Sequence, residues 1–236
     1  MSEAKTAEKI IRQVVKYSFF KLQPEWRRLS AKERSSHVSE YAEVVESARE
    51  SVLLRSYSTV GMRGDVDFML WMVHEDATRI MNVHARLNRT ALAGYLTSPH
   101  SFLATTKRSM YVDKHEHPGS ESSRTQIVPR DTPYLFVYPF VKTRPWYALS
   151  QDERQKMMSQ HIEFGHRYPS VTINTSYSFG IDDQEFVVAF EGNNLQEFMD
   201  LVMDLRYTKA SAYTLRDTPA FTCVNLPISE VLAALG

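Results

Sequence analysis

The sequence predicts an α+β fold in which one β-α-β-β-α-β unit occurs twice along a single chain. Three observations predict it: an internal repeat, a pair of matching helix-start signals, and the same order of apolar patterns in each half. The repeat runs from YSFFKLQPEWRRLSAKER at 17–34 to YPFVKTRPWYALSQDER at 138–154. Tyr17, Phe19, Lys21 and Pro24 fall on Tyr138, Phe140, Lys142 and Pro145. After one residue of slippage Trp26, Leu29, Ser30, Glu33 and Arg34 fall on Trp146, Leu149, Ser150, Glu153 and Arg154. Further on, Ser56-Tyr57-Ser58 matches Ser176-Tyr177-Ser178, and Asp67-Phe68 matches Glu185-Phe186.

Each element follows from local chemistry. Ser30-x-x-Glu33 and Ser150-x-x-Glu153 have the form of capping boxes, in which serine and glutamate satisfy free backbone donors at a helix start. They predict helices over 30–49 and 150–167. Before each cap lies a β-branched and aromatic run, as in Leu135-Phe136-Val137-Tyr138, that suits a strand. After each helix come two strand candidates, Val52–Tyr57 and Val66–Met72 in the first half, Val171–Ser178 and Glu185–Phe190 in the second. Gly61 and Gly180 stand near the turns between them. Leu195, Phe198, Leu201, Val202 and Leu205 recur at helical spacing, predicting a helix over Leu195–Tyr207 with a counterpart near 76–90. Final strands are expected at 102–113 and 219–226. This order is the ferredoxin-like pattern, and two such sheets face to face would make a dimeric α+β barrel within one chain. The halves are expected at 1–113 and 133–236, joined by a polar connector at 114–132.

Composition narrows the function. Apolar residues make up 43% and charged residues 24%, which is the balance of a soluble globular protein rather than a disordered one. Lysine plus arginine equals aspartate plus glutamate at 28 each, so no net field draws the chain to nucleic acid or an anionic membrane. Cys223 is the single cysteine, which excludes an internal disulfide and points to a reducing cytoplasm. The first twenty residues are too charged for a secretory signal, and no run of eighteen apolar residues spans a membrane.

Candidate ligands begin with the histidines. His115 and His117 form an H-x-H pair on the connector, and His161 and His166 lie five apart around the second long helix. Neither pair has zinc spacing with further partners, and for a single histidine a solvated or hydrogen-bonded ring is the ordinary reading. His161 differs in that its repeat counterpart is Tyr41, so one potential axial ligand replaces another. Tyr138, Phe140 and Lys142 alternate on one strand and share a face. If that face lines a barrel, tyrosine and lysine need a polar or anionic partner; otherwise Tyr138 is a core aromatic and Lys142 snorkels outward. Arg124 and Arg130 on the connector have the chemistry to clamp a carboxylate, or serve as exposed loop charges. No Gly-rich phosphate loop, H-E-x-x-H or nucleophile elbow is found.

The segments YPFVKTRPWYALSQDERQKMMSQH (138–161), YSFGIDDQEFVVAFE (177–191) and DLRYTKASAYTLRDTPAFT (204–222) resemble the chlorite dismutase-like superfamily. Within it they are most similar to the coproheme decarboxylases of the bacterial coproporphyrin-dependent haem pathway. The resemblance implies a duplicated ferredoxin-like fold, a homo-oligomer (commonly a pentamer), and an iron porphyrin held in the C-terminal half. It places the proximal iron ligand at His161, the radical-forming tyrosine of a Y-P-x-x-K strand at Tyr138, and porphyrin contacts along Pro139, Phe140, Val141 and Lys142. A propionate-binding arginine falls on Arg124 and a propionate-contacting serine on Ser211. The distal position falls on Ile173 or Asn174, depending on a one-residue gap after Tyr168. Chlorite-degrading members carry arginine there and an aliphatic residue where Tyr138 stands. The implied activity is therefore the peroxide-driven conversion of iron coproporphyrin III (coproheme) to haem b by loss of two propionate carboxylates. Other haem peroxidase chemistry, residual chlorite dismutation and a non-enzymatic porphyrin carrier are the alternatives.

Overall fold

The structure, a computed structural model, describes residues 11–111 and 126–236. The connector residues Arg124, His115 and His117 lie outside the described residues.

The first half runs β1 (Val14–Leu22), α1 (Ala31–Ala48), β2 (Leu53–Ser58), β3 (Phe68–His74), α2 (Ala77–Leu87) and β4 (Leu96–Thr105). The second runs β5 (Tyr134–Lys142), the short α3 (Arg144–Ala148), α4 (Gln151–Gly165), β6 (Thr172–Tyr177), β7 (Phe186–Gly192), α5 (Leu195–Arg206), β8 (Thr214–Arg216), β9 (Phe221–Asn225) and α6 (Ile228–Ala233). Both capping boxes form: Ser30 and Ser150 each accept from the backbone of the glutamate three residues on, whose carboxylate returns the bond. Gly61 and Gly180 adopt φ of 75° and 70°, a left-handed backbone that favours glycine, in matching turns.

The strands are antiparallel. Each half has the order β4-β1-β3-β2 or its equivalent β9-β5-β7-β6. The halves meet at two short seams, β2 on β9 through Tyr57↔Asn225 and Ser58↔Val224, and β4 on β6 through Thr105↔Tyr177. Side chains stitch the second seam: Asp182 accepts from the Leu103 amide at 2.7 Å, and Ser178 donates to the Leu103 carbonyl at 2.7 Å. Among the described residues no helix is long and apolar enough to cross a membrane.

One face of the strands packs on itself. Val15, Tyr17, Phe19, Met69 and Trp71 meet Leu135, Val137, Val187, Ala189, Phe221 and Cys223 there. The other face is covered by helices. In the first half Leu22, Trp26, Tyr41, Val45, Phe68, Leu70, Ile80 and Val83 form a solid core joined by Val231 and Leu232 of α6. In the second half Phe136, Val188, Phe190 and Leu201 do so, with Tyr138, Phe140, Phe198 and Leu205 half-buried around them.

The register corrects the repeat alignment. Phe20 pairs with Phe68 as Phe140 pairs with Phe186. The Leu22 amide donates to Asp67 at 2.8 Å as the Lys142 amide donates to Glu185 at 2.8 Å. The strands therefore align without slippage. Val137, not Tyr138, is the counterpart of Tyr17, and Ser18 is the counterpart of Tyr138. One residue of slip in a strand moves every side chain to the opposite face, so this decides which residues can share a site.

Candidate functional site

β5 sets Phe136, Tyr138, Phe140 and Lys142 on the helix-covered face, beside Phe186, Val188 and Phe190 of β7. On β6, Ile173, Thr175 and Tyr177 pair with Phe190, Val188 and Phe186 and so share that face. Asn174 points to the opposite face, where its amide donates to Glu191 at 2.8 Å. Of the two candidate distal residues, Ile173 thus shares this face and Asn174 does not. Alternation along β5 turns the side chains of Pro139 and Val141 to the other face, with Pro139 paired to Val187 and Val141 to Arg216.

α4 covers this face loosely. Among the described residues it buries Gln155 alone, whereas α1 buries Tyr41, Val45 and Ala48. His161 projects from α4, and its Nδ1 lies 3.3 Å from Thr208 Oγ1. The Thr208 hydroxyl spends its proton on the Leu205 carbonyl at 2.7 Å, so towards His161 it is an acceptor. That fixes the proton on Nδ1 and leaves the Nε2 lone pair for a ligand. Burial, reinforced by the neighbouring Lys142 charge, pushes the imidazole pKa down to about 4, which keeps the ring neutral at physiological pH.

Among the described residues Lys142 meets a carbonyl and an aromatic ring rather than a carboxylate. Its ammonium donates to the Ala210 carbonyl at 2.7 Å and lies 4.6 Å from the Trp146 ring centroid. Burial lowers its pKa to about 8, against the opposing pull of Glu185. Tyr138 stacks on Phe190 at 5.9 Å between centroids. Burial raises the pKa of its phenol, the Asp217 charge adds to this, and Arg206 opposes it. Arg206 and Asp217 form an ion pair beside the phenol. Ser211 is committed to the backbone, donating to the carbonyls of Arg206 at 2.6 Å and Thr208 at 2.9 Å. Thr208, Arg206 and Asp217 lie within the family-like segment 204–222 but are not singled out there, because tertiary packing is what brings them to this face.

What fits here can be argued from the donors. No group of three or more His, Cys, Asp or Glu able to hold a metal ion occurs among the described residues. One neutral imidazole above an aromatic and aliphatic floor instead suits a flat apolar macrocycle that brings four ligands of its own to the iron.

A family model described as chlorite dismutase matches residues 14–226. The chain belongs to the chlorite dismutase family. A curated relative, the coproheme decarboxylase of Mycolicibacterium smegmatis, is 30% identical over 187 residues, covering 76% of this chain and 75% of its own. Among solved structures, a mutant chlorite dismutase from Candidatus Nitrospira defluvii superposes with a TM-score of 0.85 at 25% identity, over 94% of each chain. The same organism's enzyme in complex with imidazole gives 0.84 at 25% identity over the same shares. The putative chlorite dismutase TA0507 shares the fold, with a TM-score of 0.81 at 21% identity over 95% and 99% of the two chains. Members of this family are haem-dependent enzymes.

Proposed function

We propose that this member of the chlorite dismutase family converts iron coproporphyrin III to haem b by oxidative decarboxylation of two propionates. The observation that carries the reading is a single buried face presenting both a neutral imidazole, His161, and a buried phenol, Tyr138. His161 would bind the iron through Nε2, and the aromatic floor of Phe136, Phe140 and Phe190 would take the macrocycle. The iron porphyrin, as substrate, supplies oxidising power on reaction with hydrogen peroxide.

Tyr138 then acts as the hydrogen-atom relay. Its buried phenol holds its proton firmly and so loses proton and electron together. The resulting phenoxyl takes a hydrogen atom from the β-carbon of a propionate, and carbon dioxide leaves as the vinyl group forms. Each propionate gives up two electrons and consumes one peroxide and one proton, yielding one carbon dioxide and two waters. Arg124 is proposed to orient one propionate and Ser211 to contact another once it exchanges its backbone bonds. Lys142 keeps its place through Ala210 and contributes its charge to the His161 side. Ile173, an exposed apolar residue on this face, supplies no cation to hold a chlorite-derived oxyanion, which favours decarboxylation over chlorite dismutation. We further propose a duplicated ferredoxin-like barrel with halves at 1–113 and 133–236, a pentameric assembly, and a cytoplasmic site of action. The repeated strand order and the circuit of pairings closed by β5 on β7 support the first of these.

The test is to add ferric coproporphyrin III to the purified protein, titrate hydrogen peroxide, and follow porphyrin mass with the Soret band. Loss of two carbon dioxide units through a one-vinyl intermediate is expected. Tight binding without mass loss would move the reading to a peroxidase or carrier, and absence of binding would overturn it.

A further inference from the structure

We propose that Arg63, in the first half, is a positioning residue for Tyr138: it pins the stretch 217–220 that carries Asp217 to the phenol. This deepens the reading of Tyr138 as the hydrogen-atom relay and rests on it.

The need for a tie arises on β5. Its ladder to β9 ends at Val137↔Phe221, and its ladder to β8 resumes at Val141↔Arg216. Phe140 turns its carbonyl to the β7 side, where it accepts from the Glu185 amide, so alternation turns the Pro139 backbone to the β8–β9 side. Proline has no amide to give there, and residues 217–220 have no ladder partner on β5 among the described pairings. Asp217 sits in this gap, paired with Arg206 at the end of α5. Of these two charges, Asp217 acts more strongly on the Tyr138 phenol.

Arg63 supplies the tie from the opposite edge. It lies in the turn between β2 and β3, and its Nη1 donates to the Ala220 carbonyl at 2.7 Å. The rest of the guanidinium is locked, with Nε and Nη2 donating to the two Asp65 carboxylate oxygens at 2.7 and 2.8 Å. His100 on β4 donates from Nε2 to the same carboxylate at 2.9 Å. The fork also lies over Phe221, 4.6 Å from the ring centroid, and Phe221 stacks on Phe19 at 4.0 Å. A planar fork bonded on both sides has one orientation, so the Ala220 carbonyl is held to a fixed point of the first half. Ala220 stands three residues beyond Asp217. The Asp217 field favours loss of an electron from the phenol while it penalises a standing phenolate, and both effects weaken as the carboxylate moves away. Arg63 thereby sets, from the other half, how readily Tyr138 gives up its hydrogen atom.

The experiment is a double-mutant cycle of Arg63→Met with Asp217→Asn in the full chain, read by coproheme affinity and vinyl formation; urea unfolding reports the fold. Methionine keeps an apolar stem over Phe221 but donates no hydrogen bond. Arg63→Met should lower vinyl formation about 10–100-fold while coproheme affinity stays within about twofold. In the Asp217→Asn background the same change should cost less than about twofold more, because the two residues act as one. An equal loss in both backgrounds would mark a general structural effect and overturn the inference, as would parent-like vinyl formation in Arg63→Met. Should Arg63→Met fail to fold, Asp65→Asn, which loosens the fork, decides by the same cycle. A second readout needs no porphyrin: fluorine NMR spectra of fluorotyrosine-labelled protein, the Tyr138 line being identified by its loss in Tyr138→Phe. That line should move in Arg63→Met as it does in Asp217→Asn, and an unmoved line in Arg63→Met would by itself overturn the inference. A parent protein that forms no vinyl groups would instead remove the relay beneath it, and the fluorine spectrum would still decide the tie.

Discussion

His161 stands on α4 where Tyr41 stands on α1, each eleven residues beyond the serine that caps its helix. Tyr41 is 1% exposed and meets Phe68 edge-on at 6.0 Å between centroids. Ser18, Leu22 and Tyr41 of the first half occupy the places of Tyr138, Lys142 and His161. The first half thus fills with aromatic and aliphatic side chains the space that the second lines with titratable ones. The two halves thus offer equivalent places, one closed by packing and the other open to the proposed chemistry.

The filled pocket yields a stability prediction. The Tyr41 hydroxyl is buried with no hydrogen-bond partner among the described residues. Removing an unsatisfied buried polar group relieves its desolvation cost. Tyr41→Phe is expected to leave stability unchanged or raise it by up to about 1 kcal/mol, read from urea unfolding, with porphyrin affinity unaltered. A loss above about 1 kcal/mol would mean that the hydroxyl does bonded work in the native state.

Tyr138→Phe tests the phenol. The ring keeps its stack on Phe190, so porphyrin affinity should stay within roughly twofold of the parent. Vinyl formation should fall by roughly a hundredfold or more, since no other group is assigned to remove the hydrogen atom. Mass spectrometry of the porphyrin after peroxide titration reads both steps, and a Phe variant that still forms vinyl groups would eliminate the relay.

Much of this was legible along the chain because it is locally encoded. Capping boxes span four residues, and Leu195 to Leu205 declares its period within one helix, so both appear in the sequence as they do in space. Register is not local. Matching Tyr17 to Tyr138 by letter places the wrong residues on the site face, and only the pairing of Phe20 with Phe68 and Phe140 with Phe186 reveals it. β4 begins at Leu96, earlier than expected, because Ser98, Pro99 and His100 have little strand character, and the stretch is held by pairing with β1 through Thr97 and His100. α6 follows Pro227 without a side-chain cap, and β8 is three residues long, so neither carries a signal. The His161–Thr208 contact joins residues 47 apart, a relation that no spacing rule encodes.

Glu191 anchors the opposite face of the sheet. It is 1% exposed and accepts from the Arg130 amide and the Asn174 side chain, both at 2.8 Å. Burial raises its carboxyl pKa, and these two bonds offset part of that shift. Glu191→Leu leaves both donors without an acceptor and should cost roughly 2–5 kcal/mol. Glu191→Gln keeps one acceptor oxygen and should cost about half as much. Equal unfolding midpoints for the two variants would show that neither donor depends on Glu191.

The pH dependence follows from two buried histidines. His161 and His84 are both pushed down to about 4 by burial, with Lys142 and Lys16 respectively adding to the effect. In the unfolded chain each titrates near 6.5, so between about pH 6.5 and 4 the unfolded state holds more protons than the native one. Stability therefore rises with pH across that window. It is fully present above about 6.5 and is lost as pH falls towards 4, by at most about 3 kcal/mol per histidine. His84, 3.1 Å from Ser18 Oγ, sits in the first half away from the site, so His84→Gln should flatten part of the slope without touching porphyrin binding. With His161 as the proposed iron ligand, iron and proton would compete for its Nε2, so haem affinity should fall over the acid end of the same window in both proteins. Urea midpoints at intervals from pH 7.5 to 4.5 measure the first effect and haem titrations the second. A parent protein whose midpoint is flat over that range would show that these rings are not held neutral by burial.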